Sequence, residues 1–182
     1  AQVCQADVMP IDIGIAGDMT CKGIANRKIA YGTKNFAKEP AMTRTEAEQA
    51  ILTGIQLVRE KQEQGYNLII TGEMGIGNTT TSSAVFSVLS QITPELVTGK
   101  GAGLSKAGIQ RKIQVIQAAI QKYQPNPEDV IDVLSKVGGL DICGMMGAFL
   151  GGAIYRVAVA CLFGMWDVFG RRNGCGNWCK AV

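Results

Sequence analysis

At 182 residues, 47% hydrophobic and 18% charged, the chain is long enough to bury a core and reads as one soluble α/β domain. A net charge of +3 is too small to imply a polyanion partner, and 6% aromatics argue against base stacking, so no nucleic-acid partner is expected. There is no histidine, which excludes imidazole catalysis and His-ligated metals and leaves a carboxylate, or less often Lys, Tyr or Cys, as any general base.

Val8 to Ile15, VMPIDIGI, is apolar apart from Asp12 and predicts a buried strand of a parallel sheet. Cys21 to Pro40 is basic and broken by glycine, and reads as a long loop. Thr43 to Glu46 is a capping-box pattern, and Ala47, Ala50, Ile51, Gly54, Ile55 and Val58 then mark one face of a helix that stops near Gly65. Tyr66 to Thr71 is the next strand, so the unit reads as βαβ.

A glycine-rich turn and a hydroxyl-rich helix start follow, with Ala84 to Leu89 helix-like. After a second glycine cluster, Gly99 to Gly103, a helix carries the seam Ile109, Ile113, Ile116, Ile120 and Tyr123. Asn126 as N-cap and Pro127 at the first position predict another helix, ending at Gly138-Gly139. Ile142 to Trp166 mimics a membrane span, with a small-xxx-small spacing from Gly147 to Gly151. Arg156 and the interrupting glycines argue instead for a buried helix followed by a buried strand, with no membrane partner.

Cys4, Cys21, Cys143 and Cys161 lie in or beside apolar runs and read as reduced, buried thiols. Cys175 and Cys179 form a lone CxxxC near the terminus, a weak signal for pairing or metal, and no metal site is expected. No basic-then-apolar leader is visible, so a reducing, cytoplasmic compartment is the expectation.

The stretch GEMGIGNTTTSSA carries the chemistry. Gly75 and Gly77 allow positive φ and close backbone approach, so successive N–H groups can form an anion nest. Asn78, Thr79, Thr80 and Thr81 add side-chain donors at a helix N-terminus, whose dipole favours negative charge. No Gly-Lys-Ser/Thr triplet follows, so this is not a Walker loop. A plain turn whose hydroxyls cap the helix is the competing reading. TGKGAG offers a second backbone cradle, and Lys112 offers a point charge that either tucks toward the sheet or lies out. Residues 32–43, GTKNFAKEPAMT, are unusually polar for a connection, and loops of that length are commonly functional.

Taken in order, YGTKNFAKEPAMT, GEMGIGNTTTSSA, TGKGAGLSKAGIQRK and VGGLDICGMMGAFLGGA resemble the nicotinate-nucleotide–dimethylbenzimidazole phosphoribosyltransferases of cobalamin biosynthesis, over residues from about 8 to 153. The resemblance implies a Rossmann-like, three-layer α/β fold with an open parallel sheet flanked by helices, a homodimer, and no cofactor. It also implies transfer of phosphoribose from nicotinate mononucleotide to dimethylbenzimidazole, giving α-ribazole phosphate and nicotinate.

Carried over by position, it puts the nucleotide phosphate near Gly75, Ile76, Gly77, Asn78, Thr79 and Thr80. Gly99, Lys100, Gly101, Gly103 and Lys112 would assist. Met74 would stand beside the base, and Glu73 would be a supporting carboxylate for the oxocarbenium character that builds on the ribose.

The family's principal base, a glutamate in a later Gly-Glu-Gly motif, has no counterpart here, and members are longer at both ends. Residues 1–153 are therefore expected to be the nucleotide-binding core and 154–182 a divergent segment of truncated or out-of-frame character. The alternative function is a non-catalytic phosphate- or nucleotide-binding remnant.

Overall fold

The computed structural model describes residues 6–19, 21–73, 77–101 and 103–162. The order is β1 (Ile11–Asp12), β2 (Ala25–Asn26), α1 (Arg44–Glu63), β3 (Leu68–Gly72), α2 (Thr79–Ser90), α3 (Pro94–Val97), α4 (Lys106–Tyr123), α5 (Val130–Val137), α6 (Leu140–Tyr155) and β4 (Ala158–Leu162). The chain is α/β with parallel pairing, as its sequence pattern predicts. Strand β1 pairs with β2, and β3 with β4 in the register Leu68↔Ala158 to Gly72↔Leu162. Among the described residues each sheet has these two strands.

Local signals set the helix ends. Thr43 caps α1 through the reciprocal bond with Glu46, and Gly65 follows its C-cap at φ +91, the left-handed conformation a terminal glycine supplies. The apolar face of α1 lies against α5 and α6, where Ala47, Ala50 and Ile51 join Val133, Leu134 and Cys143 in the main core. A smaller cluster, Val58, Ala148 and Val157, ties α1 and α6 to the β3–β4 sheet.

Glycines of the span-like run, together with Gly54 of α1, serve the α1–α6 contact. A Cβ on Gly54 would fall on the Gly144 carbonyl and 2.8 Å from the Ala148 nitrogen. One on Gly147 would strike the Ile51 carbonyl. Among the described residues no helix is long and apolar enough to cross a membrane. Arg156 terminates α6 in the left-handed conformation at φ 57, so the predicted helix-then-strand order holds.

Several expectations change. The run from Val8 to Ile15 is not a buried strand: only Ile11–Asp12 is extended and paired, and Val8 is 71% exposed. The buried member of the run is its polar residue. Asp12 is 2% exposed because Lys28 reaches its carboxylate at 2.9 Å and the Ile15 N–H donates to it, also at 2.9 Å. The stretch read as a loop contains β2, its partner strand. Strand β4 is not buried either, since Ala158 and Ala160 face solvent beside Leu68 and Ile70.

Asp129, not Asn126, caps α5, because Asn126 closes a turn over Pro127-Glu128 by accepting the Asp129 N–H at 3.0 Å. Cys21 is exposed, Cys161 is half-buried and Cys143 is buried; all three are free thiols. Cys4, Cys175 and Cys179 lie outside the described residues. The polar loop after β2 is pinned to the end of α5, where Ala41 and Met42 donate to the Lys136 and Ser135 carbonyls at 3.0 and 2.9 Å.

Candidate functional site

The candidate site lies at the C-terminal end of β3, where α2 begins. Strand β3 ends at Gly72 and Glu73 follows directly, half-buried. Its charge reaches Cys161 on the paired strand. Burial is the main force raising the Cys161 thiol's pKa; the hydrogen bond with Thr71 opposes that and the Glu73 carboxylate adds to it. Met74, Gly75 and Ile76 lie outside the described residues. Gly77 resumes the chain at φ +80, and Asn78 is the N-cap of α2.

The start of α2 differs from those of α1, α4 and α5. Thr43, Ser105 and Asp129 each cap their helix through a side-chain oxygen, whereas Asn78 makes no such bond and has helical dihedrals. No acidic residue lies in the first turn of α2. The terminus therefore has neither a side-chain cap nor an acidic residue of its own first turn, the condition under which backbone N–H groups hold an anion.

The second glycine cluster closes on this terminus. Ser83, buried in α2, donates to the Thr79 carbonyl at 2.9 Å and to the Val97 carbonyl at 3.4 Å, tying the chain that leaves α3 to α2. Gly101, at φ +54, then passes so near that a Cβ would sit 2.8 Å from Thr79 Oγ1. Glycine is required there on both counts. Gly99 and Lys100 precede it, and Gly103 at φ +98 leads to the Ser105 cap of α4.

Lys112, two turns into α4, settles the question of its direction. It is 6% exposed and its Nζ donates to Thr79 Oγ1 at 3.0 Å. Among the described residues no carboxylate forms an ion pair with it, and burial lowers its pKa below the ordinary 10.5. A buried ammonium without a counter-charge is costly unless an anion completes it. Thr79, Gly101 and Lys112 thus converge at one uncapped helix start, an arrangement of the kind that holds a single anion.

Two of the expected donors are engaged elsewhere. The Asn78 carboxamide is 5% exposed; its Nδ2 donates to Asp141 Oδ2 and its Oδ1 accepts from Ser82 Oγ at 2.6 Å. Thr81 Oγ1 donates to the Asn78 carbonyl at 2.7 Å. Sequence reasoning missed Asp141, whose partner is 63 residues away and leaves no local pattern.

A family model described as a phosphoribosyltransferase matches residues 1–161. The chain belongs to the nicotinate-nucleotide–dimethylbenzimidazole phosphoribosyltransferase family. Proteins of that name from Clostridium tetani and Ruminiclostridium cellulolyticum are each 54% identical to it, over 154 and 155 residues, or 85% of this chain in both cases. Those segments are 42% and 44% of the relatives, so the chain spans less than half of their length. The crystal structure of CobT from Thermus thermophilus superposes with a TM-score of 0.77 at 34% identity, covering 84% of this chain and 46% of that one. The match extends to Cys161 and so into β4, which pairs with β3 along its whole length.

Proposed function

We propose that this chain carries the phosphate seat of a phosphoribosyl transfer from nicotinate mononucleotide to dimethylbenzimidazole, with α-ribazole phosphate as product. The observation that carries the reading is the buried Lys112 ammonium, bonded to Thr79 at the uncapped start of α2, with Gly101 passing close to the same threonine. In this reading the phosphate bridges the first-turn N–H groups of α2 and the Lys112 ammonium. Gly77, Thr79 and Thr80 would form one side of the seat, and Gly99, Lys100, Gly101 and Gly103 the other; Gly75 and Ile76, assigned to it by the family pattern, lie outside the described residues. Asn78 acts from behind, as an anchor.

Glu73 follows β3 directly on the same connection, and its carboxylate would stabilise positive charge developing on the ribose. Met74 would lie against the base. Holding the phosphate fixes the sugar relative to the incoming nitrogen and turns displacement at the anomeric carbon into a positioned encounter. The core over residues 1–153 contains every one of these groups. A homodimer in the cytoplasm belongs to the same proposal, and the free thiols Cys21, Cys143 and Cys161 suit a reducing compartment.

The test incubates the chain with nicotinate mononucleotide and dimethylbenzimidazole and assays α-ribazole phosphate. Turnover that Glu73→Gln abolishes supports the transferase. Nucleotide binding without turnover moves the assignment to a phosphate-binding protein, and absence of binding overturns the seat itself.

A further inference from the structure

We infer that Asp141 is a positioning residue for the anion seat: it holds the Asn78 side chain away from α2 and so keeps the first-turn N–H groups of that helix open for ligand. The inference rests on the phosphate-seat reading above and assigns a role to a residue that contributes nothing to the seat directly.

An asparagine at an N-cap ordinarily turns its Oδ1 onto the N–H of the second or third helical residue. Here those residues are Thr80 and Thr81, and Asn78 makes no such bond. The geometry supplies the reason: the Asn78 backbone is helical, at φ −88 and ψ −37, instead of extended, and Asp141 holds the side chain in that arrangement. Asp141, in the first turn of α6, presents carboxylate oxygens that can only accept, so the Asn78 amide must offer its NH2 group. That fixes the amide's orientation and sends Oδ1 to the Ser82 hydroxyl at 2.6 Å. Both ends of the amide are held, and its burial prevents water from substituting.

Placing a carboxylate near an anion seat would ordinarily oppose the ligand. Asp141 avoids much of that penalty because it lies at the N-terminal end of α6, whose dipole compensates its charge. Gly139, the N-cap of α6, is part of the arrangement, since a Cβ there would collide with Asp141 Oδ1.

Loss of Asp141 therefore frees Asn78 to move to the extended backbone of a cap, bond its own helix and compete with the phosphate. Removing the Asn78 side chain as well removes the competitor. A purely structural role for Asp141 gives no such recovery.

The experiment measures nicotinate mononucleotide binding by calorimetry on the full chain, together with hydrogen exchange of the Thr80 and Thr81 amides in the ligand-free protein. Asp141→Ala is expected to weaken binding about tenfold and to slow exchange at those amides, as a new cap forms. Adding Asn78→Ala is expected to recover most of the affinity, and Asp141→Asn, which keeps an acceptor, to bind close to wild type. Unchanged binding by Asp141→Ala, or no recovery in the double variant, overturns the inference. Failure of the wild-type chain to bind overturns the seat reading instead. In that case the exchange rates still decide: unslowed Thr80 and Thr81 amides in Asp141→Ala, or in Asp141→Leu should the first variant not fold, contradict Asp141 as the group that keeps α2 uncapped.

Discussion

Two buried charges at the level of single residues have opposite consequences. Lys112 has no counter-carboxylate among the described residues, and burial holds its pKa below the ordinary 10.5. Because the folded value is the lower one, the unfolded chain binds the extra proton between the two values, and stability rises with pH across that window. Phosphate needs the ammonium, so its affinity is expected to fall as pH climbs through the folded Lys112 value. A phosphate ester's second ionisation, near pH 6, is complete by then. Calorimetric titrations from neutral to alkaline pH check this, and Lys112→Arg, which stays charged, should flatten the decline.

At Asp12 the fold favours the charged form, where at Lys112 it disfavours it. Burial alone would raise its pKa, but the Lys28 hydrogen bond, the Ile15 N–H and the Lys28 charge together hold it below 3.8. The Lys28 Nζ also donates to the Ile15 and Gly17 carbonyls at 2.6 and 2.9 Å, so one ammonium closes the loop from 12 to 17. Asp12→Ala strips that ammonium of its charge partner and is expected to lower stability by about 3 kcal/mol in urea unfolding at neutral pH. The contribution is full above 3.8 and is lost as pH falls through the folded value, so the gap between wild type and variant should close in acid.

Among the elements, the α1–α6 contact gives the sharpest expectation. Alanine in place of a helical glycine usually stabilises, by roughly 1 kcal/mol. At Gly147 the sign should invert, because the new methyl would meet the Ile51 carbonyl across the contact. Gly147→Ala is expected to destabilise by about 2 kcal/mol in thermal or chemical unfolding, while Ala153→Ser, on the exposed side of the same helix, should change little.

The same element shows what a sequence can and cannot convey. The α1 capping box, the Gly65 stop and the Ser105 cap are legible because each is a pattern within a few residues. The direction of Lys112 was not, since it depends on Thr79, 33 positions earlier. Asp12 misled for a related reason: an apolar run with one polar residue suggests a core strand, and here the polar residue is the buried one. The GIGNTT motif points to the proposed anion seat, but not to an asparagine that faces Asp141.

On the scale of the whole molecule, the β3–β4 sheet leaves Leu68 and Ile70 more than half exposed beside Ala158 and Ala160. Parallel sheets are ordinarily covered on both faces, and a contiguous exposed apolar face attracts hydrophobic probes and partners. Paired substitution of Leu68 and Ile70 by Thr should reduce binding of an anilinonaphthalene dye several-fold and leave the unfolding midpoint within a few degrees of wild type. Loss of the fold, or unchanged dye binding, would show that this face is not the exposed one.

The central claim is that this chain grips a nucleotide by its phosphate through Lys112 and the open start of α2. The direct measurement is a calorimetric comparison of nicotinate mononucleotide with nicotinate riboside, which lacks the phosphate, on wild type and Lys112→Met. The account predicts that wild type binds the mononucleotide about 10- to 100-fold more tightly than the riboside, and that Lys112→Met removes most of that difference. Equal affinity for the two ligands, or a preference that survives Lys112→Met, would contradict it.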